Sequence, residues 1–154
     1  MIDRLASLAP DPIAQIVLIA ITIAKRRATV AELAQACQCS RGKLHYRLQC
    51  LRAFNPRNVL AEFTTLHVAW RRGILGWTSK KTAVETGYRA PGGATALDHF
   101  VRYNGGASLR EMADPEYFWT LIDRSVSRLG GTNYLRRTSF IRHSDTNLNA
   151  MNIL

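Results

Sequence analysis

Between residues 41 and 52 a polar face stands opposite a leucine stripe. Leu44, Leu48 and Leu51 recur at helical spacing, so in an α-helix advancing 100° per residue they share the side that turns to a core. Gly42, His45, Tyr46 and Gln49 fall on the opposite side, with Arg41, Lys43, Arg47 and Arg52 along its borders. Hydrogen-bonding side chains flanked by cations suit the reading of base edges in a major groove while phosphates are held on either side. A solvated helix face rich in Arg and Lys has the same composition. What surrounds the helix must decide between them.

Other chemistries lack their residues. Cys37, Cys39, Cys50 and His45 could supply zinc donors, but Cys-x-Cys lacks the usual paired-loop spacing, and Cys37 and Cys39 fall on the inner face and turn of a helical unit. There is no G-x-S-x-G, Walker loop, H-E-x-x-H or paired-carboxylate motif, and the four histidines are isolated. No catalytic residue, metal ligand or cofactor is expected, and the chain reads as a non-enzyme.

The helix at 41–52 needs elements that hold it in place. Thr29 with Glu32 makes a capping box that satisfies exposed amides at a helix start; Val30, Leu33, Ala34 and Cys37 then share an apolar face, and Ser40 can cap the helix that follows. The array returns later in the chain: Thr78 to Tyr88 lies over Thr29 to Cys39 without a gap, with Thr78 on Thr29, Ala83 on Ala34 and Tyr88 on Cys39. In this second copy Ala83, Val84 and Tyr88 form the expected inner face, and Gly87 suits a left-handed turn. A further helix should start near Pro91-Gly92-Gly93, bury Ala94, Leu97, Phe100 and Val101, and present Thr95, Asp98, His99 and Arg102. Thr95 and His99 are its candidate base readers; Lys80, Lys81 and Arg102 are candidate phosphate contacts. Because Asp98 repels phosphate and the paired glycines offer bases no side chain, the first copy is expected to carry most of the specificity.

Between the copies, Asn55-Pro56 reads as an N-cap followed by proline at the first helical position. Val59, Phe63, Leu66, Trp70 and Ile74 form one stripe along the helix. From Pro56 to Leu75 it would span about 30 Å, close to the ~34 Å turn of duplex DNA. Arg57, Arg71 and Arg72 lie at its ends as further phosphate candidates. The chain thus divides into a first unit with its leading helix (12–54), a linker helix (55–77), a second unit (78–112) and a C-terminal extension (113–154).

Charge agrees with a polyanionic partner. The 154-residue chain carries a formal +10 with pI near 10.3 and is 47% hydrophobic, enough to bury a core. An excess of five positive charges falls in 29–77, against two, two and one in 1–28, 78–112 and 113–154. Such charge favours nucleic acid through counterion release, although other basic proteins share it. The apolar run Ile13 to Ala24 is short against the ~20 residues of a membrane span, and Lys25-Arg26-Arg27 follows it rather than preceding it as in a signal peptide. A buried helix is expected there, with Asp11 as N-cap and Pro12 in its first turn. Three cysteines without a secretion signal suit a reducing cytoplasm.

These residues together resemble a known family. Thr29 with Leu33-Ala34, Ser40 with Leu44 and Leu48, the long middle helix, Ala83 with Gly87-Tyr88, and Phe100-Val101-Arg102-Tyr103-Asn104-Gly105 resemble the DNA-binding domain of AraC-type transcription regulators. The resemblance covers about residues 13 to 112 and is most specific from Gly87-Tyr88 to Tyr103-Asn104-Gly105. It implies an all-α bundle in which two homeodomain-like helix-turn-helix units are joined by a long helix, with the third and sixth helices in adjacent major grooves. By position, the family's base readers in the first unit map to Gly42, His45, Tyr46 and Gln49. There are departures: Gln38 stands where the first turn usually has glycine, and Thr82 replaces an apolar residue. The stretch from Tyr88 to Phe100 is about two residues longer than the common pattern, which bears on the register of Thr95 and His99. Most members carry a separate sensing domain, and none is visible before the first helix. In residues 113–154, Tyr117, Phe118, Trp119, Leu121 and Ile122 suggest a short helix folded back on the bundle; the Asn-, Ser- and Arg-rich stretch after Gly130-Gly131 is expected to be loosely ordered.

The expectation is a cytoplasmic, sequence-specific double-stranded DNA-binding transcription regulator, with RNA polymerase as a further candidate partner, no membrane partner and no cofactor. Two rivals share the same features. One is a helical protein-interaction module whose basic face takes an acidic partner; the other is a transposase-like DNA-binding fragment.

Overall fold

A computed structural model describes residues 12–49 and 55–130. Asp11, Cys50, Leu51, Arg52 and the stretch 131–154, with the expectations placed on them, lie outside the described residues. Those described form an all-helical fold without a strand.

Helix α1 (Pro12–Ile23) is followed by α2 (Val30–Ala36) and α3 (Arg41–Gln49). The central helix α4 (Pro56–Ala69) runs on into a π-helical turn (Trp70–Ile74). After it come α5 (Ser79–Glu85), α6 (Gly93–Gly105), a 3-10 turn (Glu111–Ala113) and α7 (Pro115–Gly130). None of these helices is long and apolar enough to cross a membrane. Two cores lie along α4. The first gathers Ile16, Leu33, Leu44 and Leu48 around Val59 and Phe63; the second gathers Leu97, Val101, Met112 and Leu121 around Val68 and Ala69.

With packing on both flanks, α4 is buried well beyond the single stripe expected of it. Glu62, Thr64, Thr65 and His67 are buried along with Leu60 and Val68, and each buried polar group needs a partner. Thr65 donates to the Ala61 carbonyl at 2.8 Å, His67 Nε2 lies 2.8 Å from the Ile21 carbonyl, and Glu62 takes Ser125 and Arg128 of α7. The α-helical part holds 14 residues, about 21 Å at 1.5 Å per residue. Beyond it each bond spans more residues than the four of an α-helix, Leu75 N–H donating to Trp70 O at 3.1 Å and Trp77 N–H to Arg71 O at 2.9 Å. At this turn Gly73 admits the 3-10 segment: a Cβ there would lie 3.1 Å from the Asp114 carbonyl oxygen.

Two expected placements change. Val84 is 39% exposed, because α5 turns Thr82, Ala83 and Thr86 inward instead. Both hydroxyls are satisfied within the helix, Thr82 by the Thr78 carbonyl and Thr86 by the Thr82 carbonyl, at 2.9 and 2.7 Å. The expected short helix after residue 113 extends to 16 residues as α7. Its Phe118 and Leu121 join the second core while Trp119 stays half exposed. Tyr117 and Arg124 anchor it to α6, both donating to the Gly105 carbonyl.

Candidate nucleic-acid interface

The capped helix and turn that the sequence repeats recur in the backbone hydrogen bonds. In the first copy Cys37, Gln38 and Cys39 donate to Leu33, Gln35 and Ala34; in the second, Thr86, Gly87 and Tyr88 donate to Thr82, Val84 and Ala83. Positions Gln38 and Gly87 both take positive φ, +50° and +96°. Thr29 and Thr78 both cap, accepting from Glu32 N–H and Lys81 N–H at 3.2 Å. Only the first is a full box, with the Glu32 carboxylate accepting from the Thr29 amide and hydroxyl, bonds that hold its pKa below the ordinary range.

Ser40 caps α3 through the Lys43 amide, 3.2 Å away. Leu44 and Leu48 are wholly buried, so the helix has one inner side. Gly42, His45, Tyr46 and Gln49 are exposed on the other, Tyr46 to 74%. Arg41 and Lys43 are exposed, Arg47 is half-buried, and α3 carries no carboxylate. Beneath it, burial and then the neighbouring Cys39 push the Cys37 thiol up to about 11. A thiol so held is protonated near neutrality and a poor metal ligand or nucleophile. No group of three or more metal-ligating side chains occurs among the described residues.

The second outward helix starts where expected, after Gly92 at φ +78°. Gly93 is obligatory, since a Cβ there would fall 2.0 Å from the Tyr88 carbonyl oxygen. Thr95, His99 and Arg102 are exposed. Asp98, expected to face out beside them, is instead tied down: it accepts from Arg102 Nε at 2.6 Å and from the Leu109 amide at 2.7 Å. These bonds, Arg102 first, lower its pKa, and they offset the Arg102 charge.

The other cations divide into two sets. Arg57 and Lys80 are exposed, and Lys81, also exposed, stands over the Trp77 ring at 4.3 Å. Arg71 and Arg72, read as phosphate contacts, prove structural. Arg71 is buried, donates to the Thr86 hydroxyl at 2.9 Å and lies over Trp77; Arg72 donates from Nε to the Leu109 carbonyl at 2.9 Å and from Nη1 to the Trp77 carbonyl. The π-helical turn aims both inward.

Between the two copies lies an open groove of about 1180 Å³. The start of α4 lines it with Arg57 and Ala61, the loop before α2 with Arg27, and the segment from the second turn into α6 with Arg89, His99 and Tyr103. It brings Arg57 and His99 together, whereas His45, Tyr46, Gln49 and Thr95 stand apart from it. Periodicity could have found Tyr103, 90% exposed and one helical step beyond Thr95 and His99. Arg27 and Arg89 belong to loops, where no period applies. A direct bridge joins the loop before α2 to the second turn: Arg27 N–H donates to the Thr86 carbonyl at 2.8 Å, and its guanidinium lies 5.3 Å from the Tyr88 ring centre.

Comparison with protein-family models, curated proteins and solved structures gave no match to this chain.

Proposed function

We propose that this protein is a sequence-specific double-stranded DNA-binding transcription regulator of the AraC-type arrangement. In this reading α2–α3 and α5–α6 are two helix-turn-helix units joined by α4, and α3 and α6 enter successive major grooves. The observation that carries it is the recurrence of the same turn hydrogen bonds in both copies, each turn leading to a helix with an exposed polar face. His45, Tyr46 and Gln49 read base edges, and Gly42 allows close approach. Arg41, Lys43 and Arg47 hold phosphates beside them. Thr95 and His99 form the weaker second reader, with Lys80, Lys81 and Arg102 as outer phosphate contacts and Arg57 as a phosphate contact at the start of α4.

Selection of bound sequences from a random duplex pool, followed by footprinting, tests the proposal. Two protected patches about 10 base pairs apart on one face are expected, the first the stronger. Inserting about 5 base pairs between them should abolish the second. Y46A or Q49A should cost roughly 1 to 3 kcal/mol on the selected site and little on random duplex. Equal losses on both would remove base reading from α3, and a single short footprint indifferent to the insertion would remove the two-groove model.

A further inference from the structure

The groove between the copies has a composition that the two readers explain only in part, since beside His99 and Arg57 it holds Arg27 and Arg89, which neither reader uses. Its lining holds three arginines and a histidine and no Asp or Glu, although eleven carboxylate residues are spread along the chain. Glu32, close by in sequence, is turned into the Thr29 capping box. Arg57 and Arg89 are exposed and have no hydrogen bond, ion pair or ring contact among the described residues. The charges stand on the rim, while the floor is small and uncharged, with Ala61 and Thr64 of α4.

We infer that this groove holds the sugar–phosphate backbone of duplex DNA between the two major-groove segments, with Arg27, Arg57 and Arg89 as its phosphate clamps. The inference rests on the duplex-reading proposal and adds a third contact to it. On one face of a duplex, successive major-groove segments are separated by a minor groove about 6 Å wide, bordered by a phosphate strand on each side. A protein whose readers sit in both segments must face those strands with whatever lies between its readers. Exposed guanidiniums spread over three chain segments suit an extended polyanion. A small ligand would instead call for an enclosed pocket with buried converging polar groups. Tyr103, almost fully exposed in the lining, adds a hydroxyl donor. The bridge from Arg27 to Thr86 and Tyr88 fixes the width of the groove, so it also sets the spacing at which both readers meet the strand.

Phosphate-ethylation interference on the selected duplex, with the full chain, tests this. For the wild type, ethylation of phosphates between the two protected patches should block binding. R57Q/R89Q should lower the slope of log K against log salt by about two, on selected and random duplex alike, and should bind without regard to ethylation at those phosphates. R57K/R89K should restore both behaviours; all variants should keep the wild-type circular dichroism, because both residues are exposed. Two intact patches with harmless central ethylation, or an unchanged slope in R57Q/R89Q, overturns the clamp and leaves the readers standing. A wild type that protects no duplex overturns the readers and the clamp together.

Discussion

The two copies of the capped turn share their backbone hydrogen bonds but are stabilised differently. The first is local and aliphatic: a full capping box, a core of Leu33, Leu44 and Leu48, and a thiol at Cys37. The second lacks the box, since Lys81 stands where Glu32 does, and it buries Thr82 and Thr86 with an arginine from the π-helical turn bonded to the latter. Their outward helices differ in the same sense. Helix α3 is free of carboxylates, whereas α6 spends Arg102 on Asp98. One backbone turn can therefore be carried by side chains of opposite character, and the copy held locally keeps its surface cations available for a partner.

The largest expected difference concerns the glycines that open the two outward helices. Gly93 abuts the Tyr88 carbonyl, whereas a Cβ at Gly42 meets nothing within 4 Å. G93A should cost roughly 3 kcal/mol or more, because backbone must move. G42A should be neutral or stabilise by up to about 1 kcal/mol. Denaturant titration of each variant checks the pair, and a tolerated G93A would mean that the turn before α6 has slack.

Next come Thr86 and Cys37, which occupy the same place in the two turns. T86V removes the acceptor of a buried guanidinium whose Nε already lacks a partner among the described residues. A loss of about 2 kcal/mol is expected. C37V exchanges one partly buried neutral group for another and should cost less than about 1 kcal/mol. Similar losses in the two variants would erase the distinction between a polar and an aliphatic turn.

What the sequence made legible follows this division. Caps at Thr29, Asn55 and Thr78, the left-handed Gly87, the Leu44 and Leu48 stripe and the start of α6 depend on neighbours within about four residues, the range over which helix signals act. Arg71 and Arg72 were misread because an arginine near a helix end looks like a surface cation; their partners Thr86 and Leu109 lie 15 and 37 residues away. Periodicity put Val84 inside because it scores apolarity, while Thr82 and Thr86 hide their hydroxyls in backbone bonds. The groove could not be read at all, being assembled from a loop, a helix start and a turn that meet only in the folded chain.

A smaller effect exchanges the two positive-φ residues. Gln38 occupies the left-handed region at +50° with a side chain, and Gly87 occupies it at +96° without one. Q38G should stabilise by about 1 kcal/mol and G87A should destabilise by a similar amount. If Q38G lowers stability, the Gln38 side chain holds the first turn in a way that its backbone does not reveal.

The finest test uses pH and bears on the seam between α1 and α4, which belongs to the first copy alone. Burial holds His67 below its ordinary 6.5, with Arg71 and Lys25 adding to the depression and the Ile21 carbonyl opposing it. The folded chain then binds the proton less readily than the unfolded one. The stability from neutral His67 is thus fully present above about pH 6.5 and lost as pH falls through the folded value. Glu32, Asp98 and Glu111 are held below ordinary values of 4.5, 3.8 and 4.5, so their contributions fade at lower pH. As pH falls below about 6.5 the thermal midpoint should decline, more shallowly in H67Q. Amide hydrogen exchange should accordingly quicken in α1 before α6 as pH falls in this range, once corrected for intrinsic exchange. Equal declines in H67Q and wild type would assign the acid sensitivity to another group, and α6 loosening first would reverse the ranking of the two copies.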